Sequence, residues 1–165
     1  MAVFRGELTA PAGRFAIVAS RFNSLVTEAL LSGCRDSFQS HGVTEDRIDV
    51  AWAPGSFEIP LVARKLAETG RYAAIVCLGC VIKGETDHYD HVAGQAAAGV
   101  MQAGLATGTP VIFGVLTTDT VEQALNRCGL KAGNKGAEAA TTAIEMADLM
   151  NRIAGVNTSY GARFA

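Results

Sequence analysis

A chain of 165 residues, 49% apolar and 18% charged, is long enough to bury one well-filled core and reads as a single domain. Its 14 Lys and Arg against 16 Asp and Glu leave a formal charge of -2 and no basic run that could neutralise a row of phosphates, which argues against nucleic acid as a partner. No apolar stretch approaches the ~20 residues of a membrane-spanning helix, and residues Met1 to Pro11 lack the apolar core of a secretory signal, so a soluble protein of the cytoplasm with no membrane partner is expected.

The first element is the apolar run Phe15-Ala16-Ile17-Val18-Ala19, a buried strand that gives way to Ser20-Arg21-Phe22-Asn23, with Asn23 placed to cap a helix. Val26, Ala29, Leu30, Cys34 and Phe38 then recur at helical spacing until His41-Gly42 closes the segment. Ile48 to Trp52 reads as a second strand, Pro54-Gly55-Ser56 as a turn, and Ile59 to Glu68 as a helix in which Pro60 lies early enough to be tolerated. Ala73 to Leu78 is the most continuous apolar run, and Gly79 to Glu85 leads from it into a helix beginning near Thr86. Val111 to Leu116 gives a fourth strand, Thr120 and Gln123 a capping box for a short helix ending near Arg127, and Asn134 opens the last helix.

Strands alternating with helices at this spacing predict an α/β domain with a four-stranded parallel sheet, because each parallel crossover needs a connection of a dozen or more residues. Ligands in such folds bind beyond the carboxyl ends of the strands, so the four segments that follow the strands are the ones to search. The domain is expected to span 1–156, with 1–12 as an N-terminal extension and 157–165 as a flexible tail.

Lys83-Gly84-Glu85-Thr86-Asp87-His88 joins a cation, a permissive glycine and the unsatisfied N–H groups of a helix start, a combination that can hold a phosphate. It reads equally as an ordinary polar loop before a capped helix. His88 in the first helical turn lies where the macrodipole disfavours imidazolium, which suits a proton acceptor, whereas a bound phosphate would push the other way. His88 and His91 could face one way on a helix and ligate a metal, with Asp87 or Asp90 nearby, but no further Cys or His at a recognisable spacing accompanies them, so no metal site is expected. Cys77 and Cys80 form a C-x-x-C on a strand, where the odd offset points them to opposite faces; the four cysteines read as reduced thiols. Arg127 and the glycine-rich loop with Lys131 and Lys135 suit anion handling or, as plainly, stabilisation of a helix end. Phe22 and Phe113 at strand positions are candidate stacking faces or core residues, and Glu58 is a dipole partner or an acceptor for ligand hydroxyls.

Ser20-Arg21-Phe22-Asn23, Pro54 to Pro60, Gly84-Glu85-Thr86-Asp87-His88-Tyr89 and Lys131 to Gly136, four motifs in order and each after a strand or before the last helix, closely resemble the lumazine synthase family. The resemblance implies a flavodoxin-like three-layer fold, with helices on both faces of the sheet and an N-terminal segment that is a candidate to add a strand to a neighbouring subunit. It implies condensation of 5-amino-6-(D-ribitylamino)uracil with 3,4-dihydroxy-2-butanone 4-phosphate to 6,7-dimethyl-8-ribityllumazine, phosphate and water, the penultimate step of riboflavin biosynthesis, by a transferase without cofactor or metal.

By the same resemblance the pyrimidine stacks on Phe22 beside Asn23, the ribityl chain meets Ser56, Phe57 and Glu58, and the ring edge meets backbone at Cys80, Val81 and Ile82. Phosphate is held by Glu85, Thr86 and Arg127. His88 transfers protons and Lys135 is a further catalytic residue, with Phe113, Arg127 and Lys135 coming from a neighbouring copy in a homopentamer. The uninterrupted Lys131 to Gly136 stretch resembles members whose twelve pentamers close an icosahedral shell, and riboflavin synthase is a candidate partner. Lys83 stands where the family often has Arg, Glu138 where Asp is common and Cys80 where Thr is frequent. The same crevice would also serve a non-catalytic flavin carrier, against which Phe22 in place of Trp argues, or a riboflavin synthase of the archaeal type.

Overall fold

A computed structural model describes residues 1–9 and 12–161. In chain order the elements are β1 (Arg14–Ser20), α1 (Ser24–Ser40), β2 (Ile48–Ala53), α2 (Ile59–Glu68), β3 (Tyr72–Ile82), α3 (His88–Thr107), β4 (Val111–Thr118), α4 (Val121–Arg127) and α5 (Lys135–Gly161), with one 3-10 turn at Glu45–Arg47. The four strands form one sheet in the order β2-β1-β3-β4, all neighbours parallel.

The inner strands β1 and β3 are buried along nearly their whole length, which is why they read as unbroken apolar runs rather than as alternating ones. Alternate side chains feed two cores. Phe15, Ile17, Val76 and Leu78 pack with residues of α1, α4 and α5, while Ala16, Val18, Ile75 and Cys77 pack with α2 and α3. The result is the expected three-layer α/β sandwich.

Three local expectations are corrected by the structure. β3 does not stop at Leu78 but continues to Ile82, its register with β4 running on through Gly79–Val115 to Ile82–Thr118. Gly79 is a packing position within the strand: a Cβ there would lie 2.6 Å from Ser56 Oγ and 3.1 Å from Ile59 Cδ1. α3 begins at His88 rather than near Thr86. Asn23 does occupy the position before α1, but its side chain makes no capping hydrogen bond. At the other end of the chain α5 continues to Gly161, past the boundary at 156; residues 162–165 lie outside the described ones.

The N-terminal extension, described for residues 1–9, forms no strand within the chain. It crosses α5 instead, where Glu7 N–H donates to Asp148 at 2.8 Å and Arg152 pairs with both Glu7 at 3.0 Å and Asp148 at 2.6 Å.

Asn134 fixes the start of α5. Its Nδ2 donates to Ala29 O and Cys128 O, each at 2.9 Å, and its Oδ1 accepts from Gly136 N at 2.8 Å and Ala137 N at 3.2 Å. One side chain therefore ties α1, the exit of α4 and the first turn of α5, and supplies the N-cap that the sequence places there. The neighbouring Gly136 has no room for a side chain, because a Cβ would collide with the Leu30 carbonyl oxygen of α1. Gly136→Ala is expected to lower stability by about 1–3 kcal/mol, the usual cost of overpacking a close contact. Chemical denaturation would measure it, and an unchanged midpoint would show that α5 shifts freely on α1.

Candidate functional site

The order β2-β1-β3-β4 reverses direction between β1 and β3: the connection leaving β1 enters α1 on one face of the sheet, and that leaving β3 enters α3 on the other. A crevice opens between the two departing segments, the usual ligand position in open α/β sheets.

Hydrogen bonds join the strand exits in a row along this edge. Arg21 N donates to Ala53 O at 2.8 Å and Phe22 N to Pro54 O at 3.2 Å, so the Phe22 segment runs beside the Pro54–Phe57 turn. Asn23 Nδ2 donates to Cys80 O at 2.9 Å, linking the β1 exit to β3. Lys83 N donates to Thr118 O at 2.8 Å, linking β3 to β4. All four strand ends thus present their following residues side by side.

Phe22, 69% exposed, and Asn23 line a hollow of about 440 Å³ together with Ile82 and the apolar side chains of Leu25, Val121 and Leu125. Ring and aliphatic walls beside strand-end backbone suit a flat heterocycle. Cys80 does not line the hollow; its carbonyl accepts from Asn23, and its thiol is buried in the core on the α1 side. Ser56 is buried against Gly79, while Phe57 and Glu58 are exposed at the start of α2.

Lys83 to His88 is exposed throughout. Among the described residues the side chains of Glu58, Lys83, Glu85, Thr86 and His88 have no hydrogen-bond or ion-pair partner, and Asp87 makes no side-chain cap on α3. The helix start therefore keeps free N–H donors that favour an anion. The amino edge of the sheet is the reverse. There Asp49 accepts from Arg14 at 2.7 Å and from Tyr72 at 2.8 Å, and these bonds, Arg14 foremost, hold its carboxyl below the ordinary carboxylate range. That network is satisfied internally and reads as structural.

Phe113, Arg127 and Lys135 meet in a second hollow of about 640 Å³ on the outer side of the edge strand β4, with Thr142 and Met146 of α5. Arg127 donates to Gln123 O at 3.1 Å, and Lys135 pairs with Glu138 at 2.7 Å. The two hollows have no lining residue in common; α4 stands between them, giving Val121 and Leu125 to one and Arg127 to the other. Of the sequence-derived candidates, Phe22, Asn23 and Ile82 thus line one hollow and Phe113, Arg127 and Lys135 the other. Ser56 to Glu58 and Glu85 to His88 occupy neighbouring strand-end loops and line neither hollow.

Residues 12–151 match the profile of the family described as 6,7-dimethyl-8-ribityllumazine synthase, most of the chain. The chain belongs to the 6,7-dimethyl-8-ribityllumazine synthase family. Within this family frame, the strand-end residues picked out by motif lie along the carboxyl edge of the sheet, where Glu58 and Lys83 to His88 are exposed to solvent. Sequence reasoning missed Leu25, Val121, Leu125, Thr142 and Met146; the i,i+4 pair Val121 and Leu125 carries a helical apolar signal, but that signal reads as core.

No three His, Cys, Asp or Glu side chains among the described residues come together to hold a metal ion. Cys77 and Cys80 do point to opposite cores, and burial raises both thiols, Cys80 to about 11 with Cys128 adding to the effect. A water-soluble aromatic disulfide reagent at neutral pH is expected to leave all four cysteines unmodified in the native protein and to titrate four on unfolding. Rapid native labelling of Cys77 or Cys80 would contradict their burial.

Proposed function

We propose that this protein condenses 5-amino-6-(D-ribitylamino)uracil with 3,4-dihydroxy-2-butanone 4-phosphate to form 6,7-dimethyl-8-ribityllumazine, as a cytoplasmic, cofactor-independent transferase of riboflavin biosynthesis. The observation that carries the reading is the β1/β3 crevice, where an exposed ring, a strand-end backbone and an unpartnered anion-favouring loop adjoin in a chain of this family.

In this reading the pyrimidine stacks on Phe22, with Asn23 at its rim and its edge along the Cys80, Val81 and Ile82 backbone. The ribityl chain lies over Ser56, Phe57 and Glu58. The ketone phosphate is held by Glu85 and Thr86 at the start of α3 and by Arg127 of a neighbouring copy, which also brings Phe113 and Lys135. The separation of the two hollows within one chain supports this division, since Arg127 lines the hollow that Phe22 does not.

The chemistry needs little beyond orientation. The pyrimidine amine adds to the ketone and loses one water to give an imine; phosphate leaves by elimination; the ribityl-bearing amine then closes the second ring with loss of another water. Holding the two reactants together removes much of the entropic barrier. His88 moves protons at the nitrogen and carbon centres, and Arg127 stabilises charge on the departing phosphate. The free-standing His88 side chain and the Arg127 guanidinium, bonded only to Gln123 O among described residues, are available for these roles.

A subunit whose hollows serve different copies works only as an oligomer. The proposed unit is a homopentamer, twelve of which close a shell, with riboflavin synthase a candidate partner for its interior.

Assay of phosphate release and lumazine absorbance with both substrates tests the reaction. Arg127→Ala is expected to lower kcat/KM by about 10²–10³-fold, as loss of a charge-stabilising donor does. His88→Ala is expected to cost only about tenfold, below the range of proton transfer at a rate-limiting step. The reverse order would contradict mainly positional catalysis. Consumption of lumazine supplied alone would point instead to a riboflavin synthase. Size-exclusion with light scattering is expected to give a shell, and pentamers alone would remove the shell from the proposal.

A further inference from the structure

The register of β1 with β3 ends at Ala19–Leu78, and β3 continues along the crevice to Ile82 paired only with β4. On its β2 side the segment leaving β1 is held by two backbone hydrogen bonds, from Arg21 and Phe22. Toward β3 it makes one among the described residues, from Asn23 Nδ2 to Cys80 O at 2.9 Å.

Asn23 departs from its local rules in two ways. It adopts φ 58 and ψ 48, and is the only described residue other than glycine with positive φ. A side chain carries a steric penalty in this left-handed region, tolerated best by Asn and Asp and retained where the surroundings hold it. Asn23 also stands directly before α1, where an Asn ordinarily turns its oxygen onto the first helical N–H groups, yet makes no such bond. Both departures are consistent with one result: the amide is aimed across the crevice at Cys80. Its backbone carbonyl still accepts from Val26 N at 3.0 Å and Thr27 N at 3.1 Å, so the residue is also locked to α1.

We propose that Asn23 is a positioning residue that sets the width of the heterocycle slot, clamping the Phe22 segment to the Cys80–Ile82 edge. The proposal rests on the crevice being the pyrimidine site, and it has Asn23 act on the ring through these two walls. A planar substrate must stack on one wall while its edge bonds to the other, so a drift of either wall weakens both contacts together. The slot walls flank the ring and not the phosphate, so the clamp should govern affinity for the pyrimidine alone.

Asn23→Gly keeps the left-handed backbone without strain and removes the amide; Asn23→Asp keeps the outline but replaces the donor with an acceptor facing Cys80 O. Both variants are expected to assemble, with KM for the pyrimidine raised about tenfold, the scale of one lost hydrogen bond, kcat within about twofold, and KM for the ketone phosphate unchanged. Amide exchange by mass spectrometry, in peptides covering 20–25 and 79–83, is expected to quicken in the unliganded variants. Unchanged exchange with a raised pyrimidine KM would make Asn23 a direct ligand and overturn the clamp. Unchanged KM would overturn its role in the slot. If the wild-type protein forms no lumazine, the proposed reaction fails, while the exchange comparison still decides whether the clamp exists.

Discussion

Burial of β1 and β3 on both faces is the constraint from which the rest of the molecule follows. With helices covering each side, these strands have nowhere to carry polar side chains, so polar chemistry is displaced to their ends. The two ends are then treated differently. At the amino edge Arg14, Asp49 and Tyr72 satisfy one another across three strands. At the carboxyl edge the backbone is stitched from strand to strand, while the side chains of Glu58, Lys83, Glu85, Thr86 and His88 are left without partners among the described residues. A network that consumes its own donors and acceptors stabilises; one that holds its backbone still and leaves its side chains open is prepared for a ligand.

Family membership rests on the match over residues 12–151, and the β1/β3 reversal is the place where open α/β sheets bind ligands. The glycines serve the same end. At Gly79 the missing Cβ lets Ser56 and Ile59 lie against β3, so the α2 turn comes close to the strand that forms the slot edge. At Gly136 the missing Cβ lets α5 rest on an α1 carbonyl, which sets where Lys135 emerges.

Much of this was legible in the chain itself, where a local pattern had a single physical meaning. The continuous apolar runs gave β1 and β3, the Thr120–Gln123 spacing gave a real cap at 3.1 Å, and the odd offset of Cys77 and Cys80 correctly separated the thiols onto two cores. Misreadings arose where one residue type has two uses. Gly79 opened the expected connection after β3 and proved to be a close-packed strand position. Asn23 looked like a helix cap because Asn usually is one, and only the proximity of Cys80 O, distant in sequence, redirects its amide. Val121 and Leu125 went unnoticed because an apolar helix face carries no sign of whether it meets a sheet or a hollow. The division of candidate residues between two hollows was not visible in any chain-local pattern; it entered through the family resemblance alone.

α4 borders both hollows. Thr120 accepts from Gln123 N and Thr118 Oγ1 donates to Thr120 O, so the helix is pinned directly to the end of β4. Its Val121 and Leu125 face the Phe22 hollow, and two residues after Leu125 the chain presents Arg127 to the Phe113 hollow. If the two hollows are halves of one chamber, the surfaces that meet across a subunit boundary are different surfaces, the β1/β3 crevice of one copy and the outer side of β4 of the next. Such contacts close when the rotation between copies divides a full turn, either as a two-fold pair in which each copy meets the other through both surfaces or as a larger ring in which it meets two neighbours. In a larger ring each copy gives one half-chamber to the neighbour on either side, and each α4 borders two chambers at once. A cyclic assembly is thus the arrangement in which every Phe22 can be served by an Arg127.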